Sequence, residues 1–181
     1  MNPKCRVILQ LDDPNAPVKQ ESLWAQARAA GRYALLNSSF FMPLAVGDIV
    51  EATSHGQRLT VVGLDQAGVM TSSLVAVDAS VSDFEKKQVT DGWRTHGASW
   101  TEGAFGLLST VWRPTATADE VHARLTRELR RRAGWRVVSV HSPDDRRRLM
   151  AARVAPQNGG QVIDLAEYRA RSRTGRRLAR M

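Results

Sequence analysis

The chain has 181 residues, 43% of them hydrophobic, and a formal net charge of +8, which suits one compact domain or two small ones. A single cysteine, Cys5, excludes an intramolecular disulfide and fits a reducing compartment. The first 20 residues hold no long apolar run, and no stretch approaches the roughly 18 apolar residues of a membrane span, so the sequence reads as a soluble, cytoplasmic protein with no membrane partner.

Residues 5–11 (CRVILQL), closed by Asp12-Asp13-Pro14, read as a strand. Residues 21–28 and 32–37, broken at Gly31, read as a hairpin. Gly47-Asp48 turns the chain into residues 49–54, and His55-Gly56 connects these to 58–64. Ala67-Gly68 leads into 69–77. Short strands parted by Gly and Asp turns predict a small curled antiparallel sheet or partial barrel over residues 4–78.

The period changes after residue 80. Ser80 or Ser82 can cap a helix through SDFEKKQVTDGW that ends near Gly92 or Gly97, although Phe84, Gln88 and Asp91 make no apolar face. Residues 103–112 read as one strand, stopped by Pro114. Thr117 and Glu120 form a capping box. The helix behind it presents Ala118, Val121, Leu125 and Leu129 on one side and Arg124, Arg127, Arg130 and Arg131 on the other. Gly134 ends it, and 135–141 (WRVVSVH) is a strand. Strand, helix, strand implies a crossover with parallel pairing. Ser142-Pro143-Asp144-Asp145 opens a second helix, followed by Arg146, Arg147 and Arg148. Residues 156–160 read as a linker, 162–169 as a short docked helix, and 170–181 as a disordered arginine tail.

Charge is divided along the chain. Residues 1–120 hold 10 Lys and Arg against 13 Asp and Glu, a balance of −3; residues 121–181 hold 16 against 5, a balance of +11. The last third therefore seeks anionic partners. Its basic surface has three parts: the helix face of Arg124, Arg127, Arg130, Arg131 and Arg132; the run Arg146 to Arg148; and the tail with Arg169, Arg171, Arg173, Arg176, Arg177 and Arg180. A solvated helix face accounts for the first part alone. All three together point to phosphate contacts and counterion release. Trp93 and Trp100 flank a Gly-rich joint. Core packing is the plainer reading, and stacking on a base is the functional one.

No catalytic signature emerges. The histidines (His55, His96, His122 and His141) lie in no metal-ligand spacing, and no phosphate-binding glycine loop is present. Cys5 sits in an apolar run without a base. The acidic pairs at 12–13, 119–120 and 144–145 are explained by turns and caps. No cofactor or metal is expected.

The stretch 21–52 resembles the opening of a bacterial family catalogued as domain of unknown function 4265. The residues that carry the likeness are Glu21 and Trp24, Gly31 and Tyr33, Asn37, Phe40 and Phe41, and Gly47-Asp48-Ile49-Val50. The later GLLSTVWRP, the helix with Val121 and Leu125, and the strand at Trp135 follow in a similar order. Where the family has proline before its aromatic pair, this chain has Ser38-Ser39. The resemblance implies one α+β unit over about residues 5 to 142. It supplies no catalytic residues.

The expected fold is α+β. A curled sheet precedes a strand–helix–strand unit, together forming a core domain over residues 1–142. A basic helix over 143–155 is an appendage, and residues 156–181 are linker, short helix and tail. The expected function is a non-enzymatic regulatory protein that binds nucleic acid or a nucleoprotein through its C-terminal third. The alternative is a protein-interaction module, an adaptor or inhibitor, for an acidic partner. An enzyme centred on His96, Trp100 and His141 is the third reading.

Overall fold

The computed structural model describes residues 3–12 and 16–154. The helix expected at 162–169 and the arginine tail lie outside the described residues. The chain builds two sheets in succession. β1 (Lys4–Gln10), β2 (Gln20–Ala29), β3 (Arg32–Leu35), β4 (Ile49–His55) and β5 (Arg58–Gln66) pair antiparallel in chain order. β1 also meets β5 in parallel, with Val7 opposite Leu59 and Ile8 opposite Thr60, so the curled sheet closes on itself. Alternation explains the curl's interior. Val7 faces Leu23 across the β1–β2 register, and these residues join Leu9, Ala25, Leu35, Val50 and Ala52 in one apolar core. Register shifts in the β4–β5 ladder add the twist that a small closed sheet needs.

The second lobe contains β6 (Thr71–Val77), α1 (Asp83–Thr95), β7 (Ala98–Ala104), β8 (Leu107–Trp112), α2 (Ala118–Leu129) and β9 (Trp135–His141). Its sheet runs β7-β8-β6-β9, with every neighbouring pair antiparallel. This is the interleaved β-α-β-β-α-β arrangement. It corrects two expectations. β8 and β9 are parallel in direction but do not pair, because β6 already occupies the place between them. The predicted single strand at 103–112 is the end of one hairpin arm and the whole of the next. Phe105 and Gly106, with φ of +56° and +73°, make the turn. Phenylalanine is an uncommon residue in that left-handed conformation, so the sequence carried no turn signal.

Both helices begin as their caps dictate. Ser82 accepts from the Glu85 amide at 3.2 Å. Thr117 and Glu120 exchange both bonds of the capping box. The helices pack on one face of the sheet, Val89, Val121 and Leu125 joining Val75 and Val77, with the Trp93 ring against both Trp112 and Trp135. Segment 37–46, between β3 and β4, reaches edge strand β7 at Glu102 and the β7–β8 turn at Phe105.

α3 (Pro143–Val154) is not an appendage. Arg146 and Met150, four residues apart and so on one side of the helix, are both buried. Met150 belongs to the core of the curled sheet. The helix looked peripheral because its inward residues are an arginine and a methionine within a charged run. Among the described residues, no helix is long and apolar enough to cross a membrane.

If α3 completes the first core, Met150→Ala lowers stability by about 2–5 kcal/mol in urea unfolding followed by tryptophan fluorescence. A chain ending at residue 154 unfolds cooperatively, and one ending at 142 does not.

Candidate functional site

The arginines expected to form one basic surface separate into distinct classes. On α2, Val121, Leu125 and Leu129 face the core. This helical spacing turns Arg127, Arg130 and Arg131 to solvent, with Arg124 half-buried at the flank. Among the described residues, none of these four makes an ion pair, whereas Arg132 reaches Glu85 at 3.5 Å. Three of the four lie at the C-terminal end of α2, where the helix dipole also favours cations. On α3, Arg147 and Arg148 are exposed but engage Asp144 and Asp145 one turn earlier.

Arg146 is no part of a surface patch. It is 0% exposed, and all five of its N–H donors are satisfied. Nε and Nη2 donate to Asp48 at 3.1 and 3.0 Å. Nη2 also donates to the Gly68 carbonyl at 2.9 Å, and Nη1 donates to the Met70 and His141 carbonyls at 2.8 and 3.4 Å. Asp48 in turn accepts from the Ala45 and Gly68 amides at 2.8 and 2.6 Å. Burial pushes the Asp48 carboxyl up from its ordinary value, and Arg146 with the two amides pulls against that. Every acceptor position meets a donor, so this is the setting of a carboxylate. The expectation that Arg146 binds an external anion is overturned, because an arginine with no free donor and no solvent contact has nothing to offer a phosphate.

The aromatic expectations divide in the same way. Trp93 is 0% exposed and lies 6.2 and 6.3 Å from the Trp112 and Trp135 ring centres. It cannot stack on a base. Its Nε1 is the one buried side-chain nitrogen or oxygen without a hydrogen-bond partner among the described residues. Trp100 is 55% exposed on edge strand β7. His141 lies on the opposite edge strand, three strand spacings away, or about 14 Å. His96 caps the end of α1, its Nδ1 2.7 Å from the Gly92 carbonyl. The trio of His96, Trp100 and His141 therefore forms no single site. Burial lowers the His141 imidazole, with Asp145 pulling it up and Arg146 pushing it down. Among the described residues, no three His, Cys, Asp or Glu side chains gather as metal ligands would.

A polar cluster under segment 37–46 went unread in the sequence. Glu21 is buried and holds Ser39 and the Phe40 amide. Glu102 holds the Ser38 amide at 2.6 Å. The Ser38-Ser39 pair was the available signal, since hydroxyls in a loop bind nearby backbone or carboxylate groups. Its partner Glu102 lies 64 residues from Ser38.

The family model for the domain of unknown function (DUF4265) matches residues 21–138. No protein of curated function matches the chain. A crystal structure of a hypothetical protein from Neisseria gonorrhoeae is similar, with a TM-score of 0.56 and 16% identity over 79% of this chain and 96% of that one. At that identity the likeness is one of fold. The family match includes Glu21, Asp48 and Glu102 and stops before Arg146.

Arg146→Ala strands Asp48 as a buried charge and costs about 3–5 kcal/mol of unfolding free energy. Arg146→Lys keeps the charge without the fork and falls between the two. Arg147→Gln and Arg148→Gln change stability by less than about 1 kcal/mol, measured in the same denaturant series.

Proposed function

The chain belongs to the family described as domain of unknown function (DUF4265), and we propose that this member is a non-enzymatic regulatory protein that binds nucleic acid or a nucleoprotein through the basic side of its C-terminal third. The observation that carries the reading is the arginine face of α2. Arg124, Arg127 and Arg131 follow helical spacing over about 10 Å of axis, beside Arg130, without internal carboxylate partners among the described residues. Arg169 to Arg180 add six arginines by sequence alone.

The geometry narrows the mode of binding. Arg146 is withdrawn into the core, Arg147 and Arg148 are matched by their own helix acids, and Trp93 is buried. What remains is guanidinium groups without a partnering aromatic on α2. Such a face contacts phosphates and carries no base readout of its own. Binding is then sequence-independent and strongly salt-dependent. An acidic protein would meet the same arginines, and a complex that survives nuclease and high salt would identify that partner instead.

Fluorescence anisotropy with labelled single- and double-stranded DNA and RNA tests the proposal. The full chain, a 1–158 truncation and the variant with Arg124, Arg127, Arg130 and Arg131 all changed to Gln are each titrated at two salt concentrations. Four phosphate contacts from α2 predict a contribution of about −3.6 to the log–log salt slope on duplex DNA. The quadruple variant loses that contribution, and the truncation loses the part due to the tail. Absence of binding by the full chain at low salt, or an unchanged slope in the quadruple variant, defeats the reading.

A further inference from the structure

β1 and β2 lie side by side on the curled sheet, and their alternation divides their residues between its two faces. Val7, Leu9, Leu23 and Ala25 turn inward to the core. Lys4, Arg6 and Trp24 fall on the outer face and are exposed. Arg6 stands directly opposite Trp24 in the ladder, and its guanidinium carbon lies 4.6 Å from the Trp24 ring centre, within cation–π range. Trp24 still keeps 47% of its surface open. Its backbone is held at both groups, the amide donating to Asn37 Oδ1 at 2.7 Å and the carbonyl accepting from the Leu36 amide at 2.8 Å. On the other side of β1, the parallel register sets Val7 beside Leu59 and Ile8 beside Thr60. Carried back one residue, that register sets Arg58, also exposed, beside Arg6 at one strand spacing, about 5 Å.

Lys4, Arg6 and Arg58 make no ion pair among the described residues. The carboxylates described in this lobe lie elsewhere. Glu21 and Asp48 are buried, Asp65 pairs with Arg32 at 3.2 Å, and Glu51 stands opposite Arg32 in the β3–β4 ladder. Asp12 follows the far end of β1, away from Lys4. The first 120 residues carry more acid than base, yet folding leaves three cations around an open indole. Like charges on neighbouring strands repel, and an anion laid over them relieves that repulsion.

We infer that the outer face of β1, with Trp24 of β2 and Arg58 of β5, binds single-stranded nucleic acid, Lys4 and Arg58 meeting its phosphates and the Arg6–Trp24 pair meeting an unpaired base. Bases stack on indole rings and on guanidinium planes alike, and here the two are held together by paired strands before any ligand arrives. A duplex keeps its base faces inside its own stack, so it meets the cations but not the ring. An acidic protein likewise pairs with the cations and leaves the open indole unused. The site shares no residue with the arginine face of α2 and stands or falls apart from it.

Fluorescence anisotropy on the full chain tests it, with a labelled oligothymidylate and a labelled duplex of equal length, each titrated at two salt concentrations. Trp24→Ala weakens oligothymidylate binding by about fivefold or more and leaves duplex binding within about twofold. Lys4→Gln combined with Arg58→Gln keeps the Arg6–Trp24 pair and reduces the log–log salt slope on the single strand by about 1.4. It serves as the test if the alanine variant does not fold. Both effects persist when Arg124, Arg127, Arg130 and Arg131 are changed to Gln, which separates this site from the α2 face. No binding of oligothymidylate by the full chain at low salt overturns the site. So do equal losses on single strand and duplex in Trp24→Ala, or an unchanged slope in the double variant. Losses confined to the α2 variant leave the arginine face standing and remove this one. Displacement of the oligothymidylate by oligoglutamate at equal charge concentration assigns the surface to an acidic protein and overturns it as well.

Discussion

The contact between Arg146 and Asp48 sets the terms for the rest of the molecule. Asp48 sits at the entrance to β4, Gly68 and Met70 in the passage between the sheets, His141 at the end of β9, and Arg146 on the final described helix. One guanidinium ties the entrance to β4, the passage between the sheets and the end of β9 to α3. A buried charge is tolerated only when it is both paired and fully hydrogen-bonded, and this one is. The cost of a mismatch then enforces the relation of the lobes. Any sliding of α3 would strand a carboxylate, a guanidinium and several backbone groups together.

That constraint also redistributes the chain's charge. A run of three arginines suggests a patch, but one turns inward to the core and two are balanced within their helix. Of the arginines on α2 and α3 expected to form that surface, the four without an ion pair among the described residues are at α2: Arg124, Arg127, Arg130 and Arg131. There the opposite side of the helix is committed to Val121, Leu125 and Leu129, so the arginines have only solvent to face. Packing and electrostatics thus separate structural arginines from available ones, although their side chains are chemically identical.

Segment 37–46 shows a second way to join the lobes. Where Arg146 uses opposite charge, Glu21 and Glu102 use carboxyl oxygens to collect backbone amides and a serine hydroxyl. The first device is saturated by its own counter-ion. The second has no ion-pair partner among the described residues and is satisfied by backbone and hydroxyl donors instead. The strained turn at Phe105 belongs to the same seam, because its ring closes over Phe40 and Phe41.

Features governed by neighbours in the chain were legible in the sequence. The capping box at Thr117 and Glu120, the cap at Ser82, the alternation of β1 and β2, and the arginine side of α2 all follow from local periodicity and side-chain-to-backbone bonds a few residues apart. The mostly polar β7, the Phe105-Gly106 turn and the inward side of α3 carry no such pattern and were misread or missed. Which strand lies between β8 and β9, whether Arg146 faces water or Asp48, whether Trp93 is free to stack, and that Glu21 and Glu102 hold neighbouring residues of one segment were settled by tertiary structure. Arg146 and Asp48 stand 98 residues apart. An arginine's preference for water or for a buried carboxylate depends on whether folding brings that partner within reach, and local sequence carries no record of it.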